Sequence, residues 1–323
     1  MARPRVLLTR RWPEAVEARL AERFDLTLNR DDRPLGVAEM KAAMGDFDAV
    51  LPTVTDRLPA PVFDLPKPRA RILANYGVGF AHIDTEAAQS HGVTVTNTPD
   101  VLSECTADIA MTLLLMVARR AGEGERELRE GRWTGWRPTH MIGAKVSGAV
   151  LGVVGFGRIG QAMAQRAHFG FGMRILVQNR SPVAPETLAR YDAEQVETLE
   201  EMLPRCDFVS LHCPGGAANR HLITARRLDL MKPTAFLINT ARGEVVDEHA
   251  LAQALWFGSI GGAGLDVFER EPAISEELMG ADNLVMLPHL GSATRETREA
   301  MGFRVLENLS DFFEGRRPRD RVA

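Results

Sequence analysis

The sequence predicts an α/β fold built on parallel sheets. Short apolar runs of four to six residues recur along the chain and are continuous rather than alternating. That is the look of strands covered on both faces. Helix-like stretches separate these runs, the pattern of parallel α/β sheets. The length, 323 residues, suits about two domains at roughly 150 residues each.

Taken in order, Val6-Leu7-Leu8-Thr9 reads as a strand and 13–23 as a helix with Ala15, Leu20 and Phe24 toward one side. Further strands are expected at 50–53, 72–75 and 93–96, with helices near 37–44 and 83–91. Segment 104–120 is a longer, strongly apolar helix. Segments 150–154, 173–178, 207–211, 235–239, 263–267 and 284–287 again read as buried strands. Residues 122–148, rich in Gly, Arg and Trp, read as a connecting arm, and Trp133 and Trp136 call for a surface to bury against. The last segment, 293–315, is a helix offering Met301, Val305, Leu309, Phe312 and Phe313 for one face. It is too small to fold alone and must pack on something earlier.

Composition narrows the function. Apolar residues are 45% and charged residues 25% of the chain, as in soluble globular proteins. Lys and Arg total 39 against 43 Asp and Glu, a net charge of −4. That argues against a nucleic-acid binder, which relies on many cationic phosphate contacts, and against a polybasic membrane-surface protein. The longest uncharged run, 249–265, is broken by four glycines, whereas a spanning helix needs about 20 mostly apolar residues. Cys105, Cys206 and Cys213 form no CxxC, so neither a disulfide framework nor a metal site is expected. Reduced thiols and an N-terminus without an apolar leader point to the cytoplasm.

The strand-like Val150–Val154 runs into Gly155-Phe156-Gly157-Arg158-Ile159-Gly160, followed by a helix pattern and a second strand at 173–178. In that setting the glycines serve a tight turn, close approach to a pyrophosphate, and helix–strand packing. The helix N-terminus then faces the anion. NAD-binding units usually carry an acidic residue about 20 positions further on, bonding the ribose diol. Here the sequence is Gln178-Asn179-Arg180-Ser181, with no carboxylate. A guanidinium and a hydroxyl can hold a 2′-phosphate, so NADP(H) is expected to be preferred over NAD(H).

Three further residues stand at or just after the ends of expected strands: Arg242, Glu271 and His289. In open α/β sheets that edge binds ligands. Each has a plain alternative, a surface cation, a loop carboxylate and a satisfied histidine. Together, behind a dinucleotide cradle, they suit hydride chemistry on a 2-oxo acid. Arg242 can hold a carboxylate and polarise a ketone. His289 can give a proton to the developing alkoxide. Glu271 can orient the ring and favour its charged form.

These pieces, with Leu211-His212-Cys213-Pro214, Met231-Lys232-Pro233, Asn239-Thr240-Ala241-Arg242-Gly243, Gly264-Leu265-Asp266-Val267-Phe268, Glu271-Pro272 and Pro288-His289-Leu290-Gly291-Ser292 in order, resemble the D-isomer-specific 2-hydroxyacid dehydrogenase family. Asn75-Tyr76-Gly77-Val78-Gly79 extends the resemblance into the first part of the chain. Ala81-His82 departs from it in one loop, where Asp-Asn or Asn-His is common; His82 and His91 read as loop residues.

The resemblance implies two Rossmann-like, doubly wound domains, the cofactor domain inserted into the substrate domain. Residues 1–100 and 289–323 would form a flavodoxin-like substrate domain and 101–288 the NAD(P) domain, with the active site in the cleft. It implies Arg242 as substrate-binding residue, Glu271 as partner of the histidine, and His289 as proton donor. Backbone N–H groups around Val78 and Gly79 would bind the substrate carboxylate, and Trp136 would shape the pocket in a homodimer. Cofactor contacts would come from Thr106, Gly155, Phe156, Gly157, Arg158, Ile159, Gly160, Asn179, Arg180, Ser181, Cys213, Pro214, Thr240, Ala241, Asp266, His289 and Gly291. Asp266 would sit near the nicotinamide. Within the family the chain most resembles NADP(H)-using glyoxylate and hydroxypyruvate reductases. The alternatives are another dehydrogenase of the family, acting on phosphoglycerate, lactate or a larger 2-oxo acid, or a cofactor-sensing binding protein like the related corepressors.

Overall fold

A computed structural model describes residues 2–323. The chain forms two compact units, Met1–Leu102 with Ala293–Ala323, and Ser103–Ser292. In the first unit five parallel strands, β1 (Arg5–Leu8), β2 (Asp25–Leu28), β3 (Ala49–Leu51), β4 (Ile72–Ala74) and β5 (Thr94–Thr96), lie in the order β2-β1-β3-β4-β5. This is the flavodoxin-like order, whose direction reverses between β1 and β3. The inner strands are apolar because helices cover both faces; Val6, Leu8, Val50, Leu51, Ile72 and Leu73 are all fully buried.

The C-terminal helix, Arg295–Phe313, belongs to this unit. It meets the Glu14–Arg23 helix so closely that a Cβ on Gly302 would fall 2.5 Å from Val16 Cγ1. The rings of Phe24 and Phe313 stand 5.7 Å apart. The chain end is tied down as well: Val95 N–H donates to the Ala323 carbonyl at 2.9 Å. Arg304 bonds Asp320 at 2.6 Å, and Asn308 reaches Asp320 at 3.1 Å.

The second unit holds seven parallel strands: β6 (Val150–Val154), β7 (Arg174–Gln178), β8 (Ala193–Val196), β9 (Phe208–Leu211), β10 (Phe236–Asn239), β11 (Gly262–Leu265) and β12 (Leu284–Met286). Their order is β12-β11-β10-β9-β6-β7-β8. The reversal falls between β6 and β9, which makes the ends of those two strands a ligand crevice. The apolar helix Ser103–Ala118 lies against β11, where a Cβ on Gly264 would come 2.9 Å from Leu113 Cβ.

Three expectations shift. Strands β2 and β8 were not foreseen. The unit boundary falls after Ser292 rather than before His289, because β11 holds His289–Gly291 through Asp266, as described below. The two arm tryptophans are not buried among the described residues: Trp133 is 50% and Trp136 82% exposed. Its first part is a helix, Ala121–Arg129; residues 130–148 have no regular secondary structure.

Candidate active site

The glycine loop follows β6, and each glycine has its own physical reason. Gly155 has φ +87°, and a Cβ there would fall 2.8 Å from the Cys213 nitrogen, in the segment after β9. It therefore makes the turn and lets the two loops of the crevice touch. A Cβ on Gly160 would strike the Gly155 carbonyl, so this glycine brings the Arg158–Gln165 helix onto the strand. At Gly157 a Cβ would meet nothing within 4 Å, so the space above the loop is left to a ligand facing the helix N-terminus. Phe156 is buried, and Arg158 and Ile159 open the helix.

Beyond β7, Asn179 ties this loop together. Its Oδ1 accepts the Phe156 N–H at 3.0 Å and its amide donates to the Ser181 carbonyl at 2.9 Å. Arg180 and Ser181 are exposed at the rim. Across the crevice, Cys213 is half-buried, and burial pushes its thiol up to about 11. The Thr240 hydroxyl, after β10, is buried with no partner among the described residues. An orphaned donor, a bare glycine edge and a helix N-terminus together fit a bound dinucleotide.

The ionisable residues lie at the same carboxyl edge, Arg242 after β10, Glu271 after β11 and His289 after β12. Glu271 Oε2 accepts from His289 Nδ1 at 2.8 Å, and its Oε1 accepts the Phe268 N–H at 3.0 Å. A carboxylate on Nδ1 fixes the ring and leaves Nε2 to exchange a proton with a ligand. Burial pushes the Glu271 carboxyl up, but His289, the Phe268 N–H and the Arg242 guanidinium together hold it below the ordinary glutamate value. Burial lowers Arg242 from the ordinary arginine value, against the attraction of Glu271 and Glu244.

Two buried side chains shape these loops. Asn239 Oδ1 accepts the Ala241 N–H at 3.0 Å, and its amide donates to the Arg242 carbonyl at 2.9 Å. That closes the turn presenting Arg242. The Asp266 carboxylate accepts the N–H groups of Leu290 at 2.6 Å and Gly291 at 2.8 Å, while its carbonyl accepts that of His289 at 3.0 Å. These bonds hold His289 at φ +55°, in a region that most residues avoid. Desolvation outweighs the bonds and raises the Asp266 carboxyl. Thr106 Oγ1 donates to the Gly291 carbonyl at 3.1 Å, so here it steadies the same loop. Sequence reasoning gave Asn239 no role. The available signal was an Asn placed to bond backbone two and three residues on.

In the first unit the loop after β4 is held through its carbonyls. Asn75 donates to the carbonyls of Gly77 at 2.9 Å and Gly79 at 3.0 Å, and Asn97 to that of Val78 at 2.9 Å. In a planar trans peptide the N–H opposes the C=O. The N–H groups of Val78 and Gly79 therefore point away from the Asn75 and Asn97 amides that hold the Gly77 and Val78 carbonyls. His82 is part of this arrangement, with Nε2 3.0 Å from Asn75 Oδ1.

A dinucleotide crevice beside an Arg and a Glu–His pair defines the class, an NAD(P)-dependent oxidoreductase. More narrowly, the chain belongs to the D-isomer specific 2-hydroxyacid dehydrogenase family: residues 111–291 match the family's NAD binding domain. It is 46% identical over 320 residues to the glyoxylate reductase of Thermococcus onnurineus strain NA1, covering 98% of this chain and 95% of that one. Its fold matches the NADPH-dependent glyoxylate/hydroxypyruvate reductase of Sinorhizobium meliloti in complex with NADP and malonate. The TM-score is 0.88 at 37% identity, covering 100% of this chain and 97% of that one. A glyoxylate reductase from Paecilomyes thermophila gives a TM-score of 0.86 at 30% identity over 100% and 99% of the two chains. Among the described residues no helix is long and apolar enough to cross a membrane.

Proposed function

We propose that this protein reduces glyoxylate or hydroxypyruvate to the 2-hydroxy acid with NADPH. The Glu271–His289 pair at 2.8 Å, at the sheet edge that also carries Arg242 and the glycine loop, carries this reading. NADPH, once bound, would supply the hydride that reduces the keto group. Arg242 bonds the carboxylate and the keto oxygen, drawing electron density toward that oxygen. His289 Nε2 delivers the proton as the alkoxide forms, and Glu271 stabilises the charged ring before delivery. The relatives' activities support the substrate class, and the missing carboxylate after β7 supports NADPH. Arg180 and Ser181 would hold the 2′-phosphate, and Arg158 and the helix start would hold the pyrophosphate. Thr240, Ala241, Cys213, Pro214, Gly291 and Asp266 line the nicotinamide end. A homodimer covers the exposed Trp133 and Trp136, and the enzyme works in the cytoplasm.

A steady-state panel of glyoxylate, hydroxypyruvate, pyruvate and phenylpyruvate against NADPH and NADH tests this. The two small substrates with NADPH are expected to give the highest kcat/KM. Arg180→Ala is expected to cut the NADPH preference by about tenfold, the size of one charge-assisted bond. A tenfold preference for NADH in the unaltered protein would overturn the cofactor assignment.

The glycines give a second, paired test. Gly157 has φ −74°, which alanine accepts. Gly157→Ala is expected to keep its Tm while losing NADP+ affinity in calorimetry. Gly160→Ala must push the helix off the strand and is expected to cost about 1–3 kcal/mol of stability. Equal Tm losses in the two variants would contradict these separate roles.

A further inference from the structure

We propose that Glu244 positions Arg242 for the reaction by fastening the Gly215-Gly216 segment over the stem of the arginine. This role rests on the reading of Arg242 given above and deepens it. The segment follows β9, and Arg242 and Glu244 follow β10, the neighbouring strand. The Gly216 N–H donates to Glu244 Oε1 at 2.5 Å. A Cβ on Gly215 would fall 2.6 Å from that same oxygen, 2.9 Å from Arg242 Cγ and 3.3 Å from Arg242 Cβ. The Gly215 backbone therefore lies against the methylene stem of the arginine, at a distance that leaves no room for a side chain. Gly215 is not among the glycines with positive φ, so the close approach, rather than the backbone conformation, calls for glycine here.

The segment is fastened at several points. The Asn219 amide donates to the Pro214 carbonyl at 2.8 Å. The His221 N–H donates to the Glu244 carbonyl at 2.7 Å, and the Ile223 N–H to that of Val245 at 2.9 Å. Backbone bonds thus lay 221–223 along 244–245, and the Glu244 side chain carries the hold back to Gly216, beside Arg242. His221 Nε2 also meets Glu269 Oε1 at 2.6 Å, which ties the same segment to the loop after β11. Asn239 fixes the Arg242 backbone, and the segment held by Glu244 covers the start of its side chain. An arginine stem has many rotamers, and packing that removes unproductive ones before substrate arrives lowers the ordering cost of binding. Glu244 also acts through charge: burial lowers Arg242 from the ordinary arginine value, and the attraction of Glu271 and Glu244 opposes that.

Steady-state kinetics of the full chain, with the preferred 2-oxo acid and cofactor of the panel above, test this role. Glu244→Ala is expected to lower kcat/KM by about tenfold to 10², through both kcat and KM, as a slightly misplaced group does. Cofactor affinity should stay nearly unchanged. Glu244→Gln keeps an acceptor for the Gly216 N–H and is expected to return to within about threefold of the unaltered protein. Gly215→Ala leaves Glu244 in the chain but pushes against its carboxylate and the arginine stem, and is expected to match Glu244→Ala. Coupling gives the readout that a merely structural role would not move. In an Arg242→Lys background, which has no fork to aim, Glu244→Ala is expected to cost less than about threefold. An equal loss in both backgrounds, or Glu244→Gln as impaired as Glu244→Ala, would overturn the proposal. So would an unchanged kcat/KM in either Glu244→Ala or Gly215→Ala. Failure of the underlying reading would show separately, as full activity in Arg242→Ala or no turnover by the unaltered protein, and would remove the positioning role with it.

Discussion

His289→Ala is expected to lower kcat by about 10² to 10⁴, the usual contribution of a positioned general acid, while leaving NADP+ affinity within a few-fold. Glu271→Gln separates orientation from charge. It keeps a group beside Nδ1 at the 2.8 Å contact but removes the anion and can present an N–H where the ring nitrogen must itself donate. A fall in kcat of about tenfold or more is expected, with little change in cofactor binding. The pH dependence of stability follows from Glu271. Its carboxyl is held below the ordinary glutamate value in the fold, so folding favours the ionised form. That stabilisation is complete above the unfolded value of about 4.3 and is lost as pH falls through the lower folded value. The Tm gap between the unaltered protein and Glu271→Gln should therefore narrow as pH drops below about 4. A gap that widened toward acid would reverse the assignment, and turnover undiminished in His289→Ala would take the proton-donor role away from the histidine.

What the sequence shows of this molecule depends on how completely each segment is covered. The inner strands β6, β9 and β10 are buried on both faces, so they stand out as apolar runs. Strands β2 and β8, at sheet edges, alternate exposure instead, and Asp25-Leu26-Thr27-Leu28 and Ala193-Glu194-Gln195-Val196 do not look like core. The glycine loop was legible because its constraints are steric and local to the backbone. The Glu271–His289 contact was legible only as an expectation from strand ends, since 18 residues separate the partners. Asn239 and Asp266 were less legible in their work. Each holds backbone N–H or C=O groups through its side chain, and such bonds leave no periodic trace.

Arg242 is expected to be the second residue whose loss is severe. Its backbone lies in a turn closed by Asn239, and its Nη1 donates to the Ala241 carbonyl at 2.6 Å. Arg242→Ala removes donors from both the carboxylate and the developing alkoxide. A loss of about 10³ or more in kcat/KM is expected, since one donor at a developing charge is worth about 10² to 10³. Arg242→Lys keeps the charge but not the planar fork; it should recover substrate binding better than turnover. Asn239→Ala leaves the guanidinium intact and loosens only the turn. It should lower kcat/KM by a smaller factor, about tenfold, and leave NADP+ affinity nearly unchanged. The decisive readout is the split between KM and kcat. A rise in KM alone in Arg242→Ala, with turnover intact at saturation, would reduce the arginine to a carboxylate anchor and take the polarising role away from it. A fall in both parameters, with partial recovery of KM but not kcat in Arg242→Lys, is the result that a fork shared between carboxylate and ketone demands.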